Sequence, residues 1–324
     1  MRFFLTLVAS AVLAYVLSLI LTIQANPEIR FWRDVQLRRQ AEIESARQAD
    51  PARPVILFTG GSSTAFSIDP AIVEEACKMP AFNLALPVSA GAHYLIHQAL
   101  QTARPGDILV LGLEADMIAT ELDYPASMLS LGLGVFAGKP SDAVGGETFN
   151  ATLEPREALT LARPGPRYLM TLAFRSASGK GYRYTPADYR YHGRMETPEQ
   201  DPQMTANDVL QPRKLSDSGR QLLLAVRDAA DKKGVKLLYT MPWRLTSVEN
   251  AEVSRLSNAA LQDAVNPIIT VIDDGTRGVA TERGFFSDSP QHLTASGSAA
   301  RSRAMAAKLS ELLKQEGNEA PEEK

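Results

Sequence analysis

The stretch Val55-Ile56-Leu57-Phe58-Thr59-Gly60-Gly61-Ser62-Ser63 decides the fold class. Four apolar residues run into a glycine pair, the pattern of a buried strand entering a tight turn. Asp69-Pro70 follows, with Asp as N-cap and Pro at the first helical position, so a helix opens there. Ala81–Leu86 reads as a second strand. Ser89–Ala103 predicts a helix, with Ala92, Leu95, Ile96, Ala99, Leu100 and Ala103 at the 3.6-residue period. Pro105-Gly106 then leads into a third strand, Asp107–Leu113.

The alternation resumes near the C-terminal third. Ser216–Lys233 is amphipathic and ends at Gly234, a residue suited to a helix C′ position. Val235–Met241 predicts a strand, Glu249–Ala264 a helix, Ile268–Ile272 a strand and Thr294–Gln315 a last helix. Strands alternating with helices predict an α/β fold: a doubly wound, mainly parallel five-stranded sheet covered on both faces. The expected α/β domain spans 54–316, with a polar tail at 317–324 read as disordered.

Residues 120–212 break the alternation. They carry glycine- and proline-rich stretches and a cluster of tyrosines, Tyr182, Tyr184, Tyr189 and Tyr191. We read them as an insertion over the carboxyl edge of the sheet, where α/β ligand sites lie. A packed subdomain and a surface for substrate or partner fit that composition equally.

At the other end, the 21 residues Phe3–Ile23 carry no charge. As a helix they would be about 30 Å long, matching a bilayer core. Residues 1–25 therefore predict a single-pass anchor. The alternative is a signal peptide cut after Ala25, which would place Ile23 where a small residue is usual. Arg30, Arg33, Arg38 and Arg39 follow the span, and the positive-inside rule taken alone would keep the body cytoplasmic. Residues 26–53 read as a charged juxtamembrane helix and spacer, ending in a linker marked by Pro51 and Pro54.

Composition narrows the function classes. Thirty-four basic against 37 acidic residues give a net charge of −3, which argues against a duplex-binding protein. A single cysteine, Cys77, forms no internal disulfide, and with four histidines a structural zinc site is not expected. His93 and His97 stand one helical turn apart, but no nearby carboxylate completes a metalloprotease pattern. No metal or organic cofactor is implied. The glycine turn is neither a phosphate loop nor a dinucleotide fingerprint, because the required Lys and third Gly are missing. His192 and Trp243 are further candidates for contacts at a site mouth, each with an ordinary packing role as the alternative.

Two elements carry chemistry. Ser62 follows the first strand on a glycine turn, where backbone N–H groups can face a developing oxyanion. Asp288-Ser289-Pro290-Gln291-His292 precedes the last helix. It offers a general base and a carboxylate to orient it, which a serine nucleophile requires.

The pair, set in a doubly wound sheet, resembles the SGNH/GDSL hydrolase family over roughly 55–117 and 215–313. Gly60-Gly61-Ser62 lies where that family has Gly-Asp-Ser, so the resemblance makes Ser62 the nucleophile, His292 the base and Asp288 its orienter. Gly91 is similar to the family's second-block glycine, which implies an oxyanion hole from the N–H groups of Ser62 and Gly91. The resemblance implies the family's flavodoxin-like three-layer architecture. The run from Gly60 to Asp69 is also similar to membrane-anchored members of the DltD-like and alginate-acetylation type. That places the body on the periplasmic side of the inner membrane. It implies a serine esterase or O-acyltransferase acting on acyl esters of an envelope polysaccharide, with a membrane acyltransferase as a possible partner.

The sequence departs from the family at three places. Glu114 stands where an Asn donor is usual, and an anionic carboxylate accepts hydrogen bonds rather than donating them. Such a site recruits another donor, for which Asn83 is the candidate, or it is slow or inactive. Asp288 lies four residues before His292 instead of three. Ser63 adjoins Ser62, leaving the nucleophile open by one position. A non-catalytic anchored accessory protein that binds an envelope polymer or a membrane partner is the competing expectation.

Overall fold

A computed structural model describes residues 1–25, 27–120, 142, 144–150, 183–197 and 200–319. Its centre is a five-stranded sheet in the order β2-β1-β3-β4-β6, with every pair parallel. The strands are β1 (Ile56–Gly60), β2 (Ala81–Asn83), β3 (Ile108–Gly112), β4 (Lys236–Tyr239) and β6 (Thr270–Val271). The chain leaves β1 for β2 on one side and returns to β3 on the other. The carboxyl ends of β1 and β3 therefore flank the topological switch point, the usual ligand crevice of such sheets. Gly60 pairs with Gly112 there. A side chain on Gly60 would meet the Gly112 carbonyl at 2.1 Å, so the glycine allows this close approach.

Period-two alternation assigns each strand residue to a face. Leu57, Leu109, Leu111 and Tyr239 join one core with α5 (Ala92–Thr102), α7 (Asp217–Lys233) and α8 (Ala251–Val265). Ile56, Phe58, Ile108, Val110 and Leu238 join a second with Val73 of α4 (Pro70–Cys77) and Met305 and Leu309 of α9 (Ala295–Glu319). Each such fully buried side chain contributes about 1.5–3 kcal/mol. The expected caps form: the Asp69 side chain accepts from Ala71 N, and Gly234 is left-handed, while Ser216, expected inside the helix, caps it by accepting from Gly219 N.

Both N-terminal helices form where the sequence predicts them, but the packing of the second differs from expectation. α2 (Pro27–Ala49) is not a solvated spacer. It buries Ile29, Trp32, Val35, Gln36, Arg39, Ile43 and Arg47 as a stripe against the first core. Arg39 donates to the carbonyls of Ala85 and Gly193, both at 2.7 Å. Arg47 pairs with Asp107 at 2.5 Å. α1 (Arg2–Ala25) exposes Phe3, Phe4, Leu5, Leu7, Leu13 and Leu17. Its side chains are described through Leu17 and at Ile20 and Gln24. Among the described residues no helix is long and apolar enough to cross a membrane.

Other boundaries shift too. The helix expected from Ser89 begins as a short 3-10 turn, Val88–Ala90, and turns at Gly91 (φ 82°) before α5. α9 continues to Glu319, into the span read as tail. A separate parallel pair, β5 (Arg244–Leu245) with β7 (Val279–Ala280), lies outside the expected alternation. Of the expected insertion, 121–141, 143, 151–182 and 198–199 lie outside the described residues, Tyr182 among them.

Candidate active site

Ser62 opens a one-turn helix, α3 (Ser62–Ala65), directly after β1. Gly61 is its N-cap, in extended conformation. At the first position of a helix the Ser62 N–H has no intrahelical acceptor. Asn83, fully buried at the end of β2, points its amide at this turn from below. Its Nδ2 donates to Thr64 O at 2.9 Å and lies 3.3 Å from Ile68 O, while its Oδ1 accepts from Ala85 N. Asn83 therefore pins the Ser62 turn, and its amide is not free to serve as the donor expected of it.

Glu114, just past β3, clamps the same turn from the other side. Its carboxylate accepts from Gly61 N (3.1 Å), Ser63 N (3.2 Å) and Ser63 Oγ (2.7 Å). A side chain at position 61 would strike that carboxylate at 2.1 Å, so Gly61 and Glu114 require each other. Ser63 is buried and spent on Glu114, whereas Ser62 keeps partial exposure. The geometry thus separates the adjacent serines: Ser62 faces His292.

His292 reaches Ser62 from a compact turn before α9. Its Nε2 lies 2.9 Å from Ser62 Oγ, and its Nδ1 lies 2.8 Å from Asp288 Oδ1. The extra residue between Asp and His is absorbed by the turn: Ser287 N donates to His292 O, and His292 N donates to Ser289 O. Phe286 and Leu293 bridge beneath and pack with Met204, Trp243 and Leu245. Phe66 stacks on the imidazole at 4.4 Å.

The second oxygen of Asp288 is also engaged. Arg183 Nε lies 3.0 Å from Oδ2, and the Tyr184 hydroxyl donates to it at 3.0 Å. Burial pushes the Asp288 carboxyl up, but His292, Arg183 and Tyr184 together outweigh it and hold the group below its ordinary value. Arg183, Tyr184, Phe66 and Ser287 were not legible as site residues. Only the tyrosine-rich composition pointed at that segment, and nothing in the sequence tied it to Asp288.

Gly91 sits apart from this assembly in its hydrogen bonding. Its N–H donates to Val88 O at 3.0 Å, so the two-donor hole expected from Ser62 and Gly91 is not formed by that N–H in this conformation. Trp243 donates to Asp274 at 2.6 Å and, with Ser63, Glu114, Arg213, Arg244 and Asn258, lines a cavity of about 20 Å³. A groove of about 450 Å³ borders the base turn, lined by Asp201, Gln203, Thr205, Asn207, Ser289 and Pro290 among others.

The remaining candidates are engaged elsewhere. His97 Nδ1 lies 2.8 Å from Thr148 Oγ1, and His93 packs edge-on to Phe149, where burial pushes it down to about 4. His192 lies between Phe82 and Tyr191, with Nδ1 2.8 Å from Glu74. Burial pushes the Cys77 thiol up to about 11, away from thiolate reactivity. No group of three or more metal-ligating side chains occurs among the described residues.

Taken together, the arrangement can pass a proton from Ser62 to His292 while Asp288 holds the ring and balances the imidazolium. Compared with models of protein families and with curated proteins, the chain matches none.

Proposed function

We propose that this chain is an SGNH-like serine acyl-ester hydrolase or O-acyltransferase. The supporting observation is the unbroken contact series Ser62 Oγ–His292 Nε2–Nδ1–Asp288, at 2.9 and 2.8 Å. In that reaction Ser62 Oγ attacks an ester carbonyl as His292 takes its proton. The tetrahedral intermediate collapses, and His292 returns the proton to the leaving alcohol. Water or a sugar hydroxyl then attacks the acyl-enzyme, with His292 again as base. The groove of about 450 Å³, bordered by Asp201, Gln203, Asn207 and Ser289, offers hydrogen-bonding groups suited to a polyhydroxylated alcohol. The resemblance of the Gly60–Asp69 run to anchored envelope acylation proteins supports an envelope polysaccharide as that alcohol. The charge-free run Phe3–Ile23 and the exposed apolar side chains of α1 support an anchor in the inner membrane. The same resemblance supports a body on the periplasmic side and a membrane acyltransferase as partner.

A second reading is favoured by the donors. Gly91 N–H and the Asn83 amide both serve the fold, and Glu114 accepts where a donor is usual. One missing oxyanion donor costs other enzymes about 2.7–4 kcal/mol. A non-catalytic accessory protein that binds a polymer or a membrane acyltransferase would tolerate that loss.

A fluorophosphonate probe on the full chain in detergent separates the two. Labelling confined to Ser62 and abolished by His292→Ala supports the enzyme. A folded chain that stays unlabelled at Ser62 rejects it in favour of the accessory role.

A further inference from the structure

We infer that Tyr184, assisted by Arg183, is a positioning residue for the Asp288–His292 pair, and that Tyr184 couples the pair to the juxtamembrane helix α2. The inference rests on the catalytic reading above and extends it to how the base is held.

Asp288 contributes two oxygens with separate duties. Oδ1 faces His292 Nδ1 at 2.8 Å and Ser287 Oγ at 3.3 Å. Oδ2 receives Tyr184 OH and Arg183 Nε, each at 3.0 Å. A carboxylate held at one oxygen can still rotate about its terminal torsion, which is broad and roughly two-fold. Two donors on Oδ2 remove that freedom and leave Oδ1 aimed at the ring. The spacing here makes such a hold useful, because Asp288 lies four positions before His292 along a turn rather than a helix. Arg183 is partly exposed, with a side-chain accessibility of 41%, so its charge is screened. Tyr184 is buried, and its hydroxyl carries more of the positioning.

Tyr184 is itself seated by aromatic rings. Phe66, which stacks on His292, lies 5.0 Å from the Tyr184 ring. Phe31 and Trp32 of α2 each lie 6.3 Å from it. The order of contact therefore runs from α2 through Tyr184 to Asp288 and His292. Tyr184 OH also lies 3.3 Å from His292 Nδ1, so its hydroxyl marks the place where carboxylate and ring meet. A displacement of α2 would reach the base by this route without passing through the sheet.

The test is a double-mutant cycle on the full chain in detergent, with Tyr184→Phe and Asp288→Asn, alone and together. Its readout is the rate of Ser62 labelling by a fluorophosphonate, alongside the thermal midpoint. Loss of one hydrogen bond to a charged group is expected to slow labelling about tenfold in the Tyr184→Phe chain. In the Asp288→Asn background the same change should slow it less than about twofold, because the charged carboxylate it acts through is gone and only a neutral amide remains. Arg183→Gln should follow the pattern with a smaller factor. Equal slowing in both backgrounds, or no slowing in the wild-type background, overturns the inference. If the wild-type chain does not label at all, the catalytic reading fails by itself. The inference is then read from carbethoxylation of His292, followed by peptide mass in the same four chains. Tyr184→Phe must change that rate only where Asp288 is present.

Discussion

Ser62 and His292 meet at 2.9 Å, yet the two sides of that contact are built differently. On the Ser62 side the turn hangs from the ends of three adjacent strands. Asn83 and Glu114 seize its main chain, and Thr64 Oγ1 donates to Gly112 O. On the base side the partners are largely side chains gathered from distant segments: Arg183 and Tyr184 from the irregular region, Phe66 from the nucleophile turn, and Phe31 and Trp32 from α2. A main-chain clamp fixes position whatever the surface residues do. A side-chain assembly is only as firm as its packing. The base side is therefore where perturbation should register first.

The largest effect separates the sides by chemistry. Ser62→Ala removes the attacked atom and should abolish fluorophosphonate labelling. Asp288→Asn should leave the fold intact and slow labelling by about 10³- to 10⁴-fold, the cost of losing the orienting carboxylate in serine hydrolases. Labelling at an undiminished rate in Asp288→Asn would mean that the main-chain side alone activates Ser62.

Next comes packing. Trp32 is fully buried, so Trp32→Ala should cost about 3–5 kcal/mol in a denaturant titration. Because Trp32 packs edge-on against Tyr184, labelling should also slow under conditions where the variant remains folded. A chain lacking residues 1–25 should keep its denaturant midpoint, whereas one lacking residues 1–49 should not fold. Equal behaviour of the two truncations would contradict the burial of α2.

That contrast also shows where sequence reading stops. The sheet was legible because its strands are short apolar runs between turn residues, and the Gly60-Gly61-Ser62 turn announces itself by glycine. The packing of α2 is hidden because its buried stripe includes Gln36 and two arginines, and Arg39 and Arg47 meet partners far along the chain, Ala85, Gly193 and Asp107. Periodicity in hydrophobicity cannot register such a face. Asn83 is the reverse case: its residue type suggested a donor, but its hydrogens are consumed by Thr64, Ala65 and Ile68 carbonyls. Ser62, His292 and Asp288 could be named from the sequence. What holds Asp288 could not, since Tyr184 lies 104 residues away.

Acid should probe the base side next. Asp288 titrates below its ordinary value because His292, Arg183 and Tyr184 outweigh the cost of burial. A carboxyl whose folded pKa is depressed stabilises the fold above its unfolded pKa of about 3.9 and loses that contribution as pH falls through the folded value. Wild-type stability should therefore fall more steeply than that of Asp288→Asn below about pH 4. Parallel acid profiles for the two chains would show that Asp288 is not held as the geometry implies.

The smallest effect belongs to Ser63, the serine beside Ser62. Ser63 Oγ donates to Glu114 at 2.7 Å, but that carboxylate also accepts from the main-chain N–H groups of Gly61 and Ser63. Ser63→Ala leaves both main-chain donors in place and a small residue in a buried position. Its stability cost should be that of one hydrogen bond to a charged group, about 1.5–3 kcal/mol. Labelling of Ser62 should change by no more than about threefold, well under the cost of a lost catalytic donor. The size of that response measures how far main-chain contacts alone hold the nucleophile turn. A Ser63→Ala chain that labels as poorly as Asp288→Asn would show that the Ser63 hydroxyl, rather than the main-chain N–H groups held by Glu114, sets Ser62.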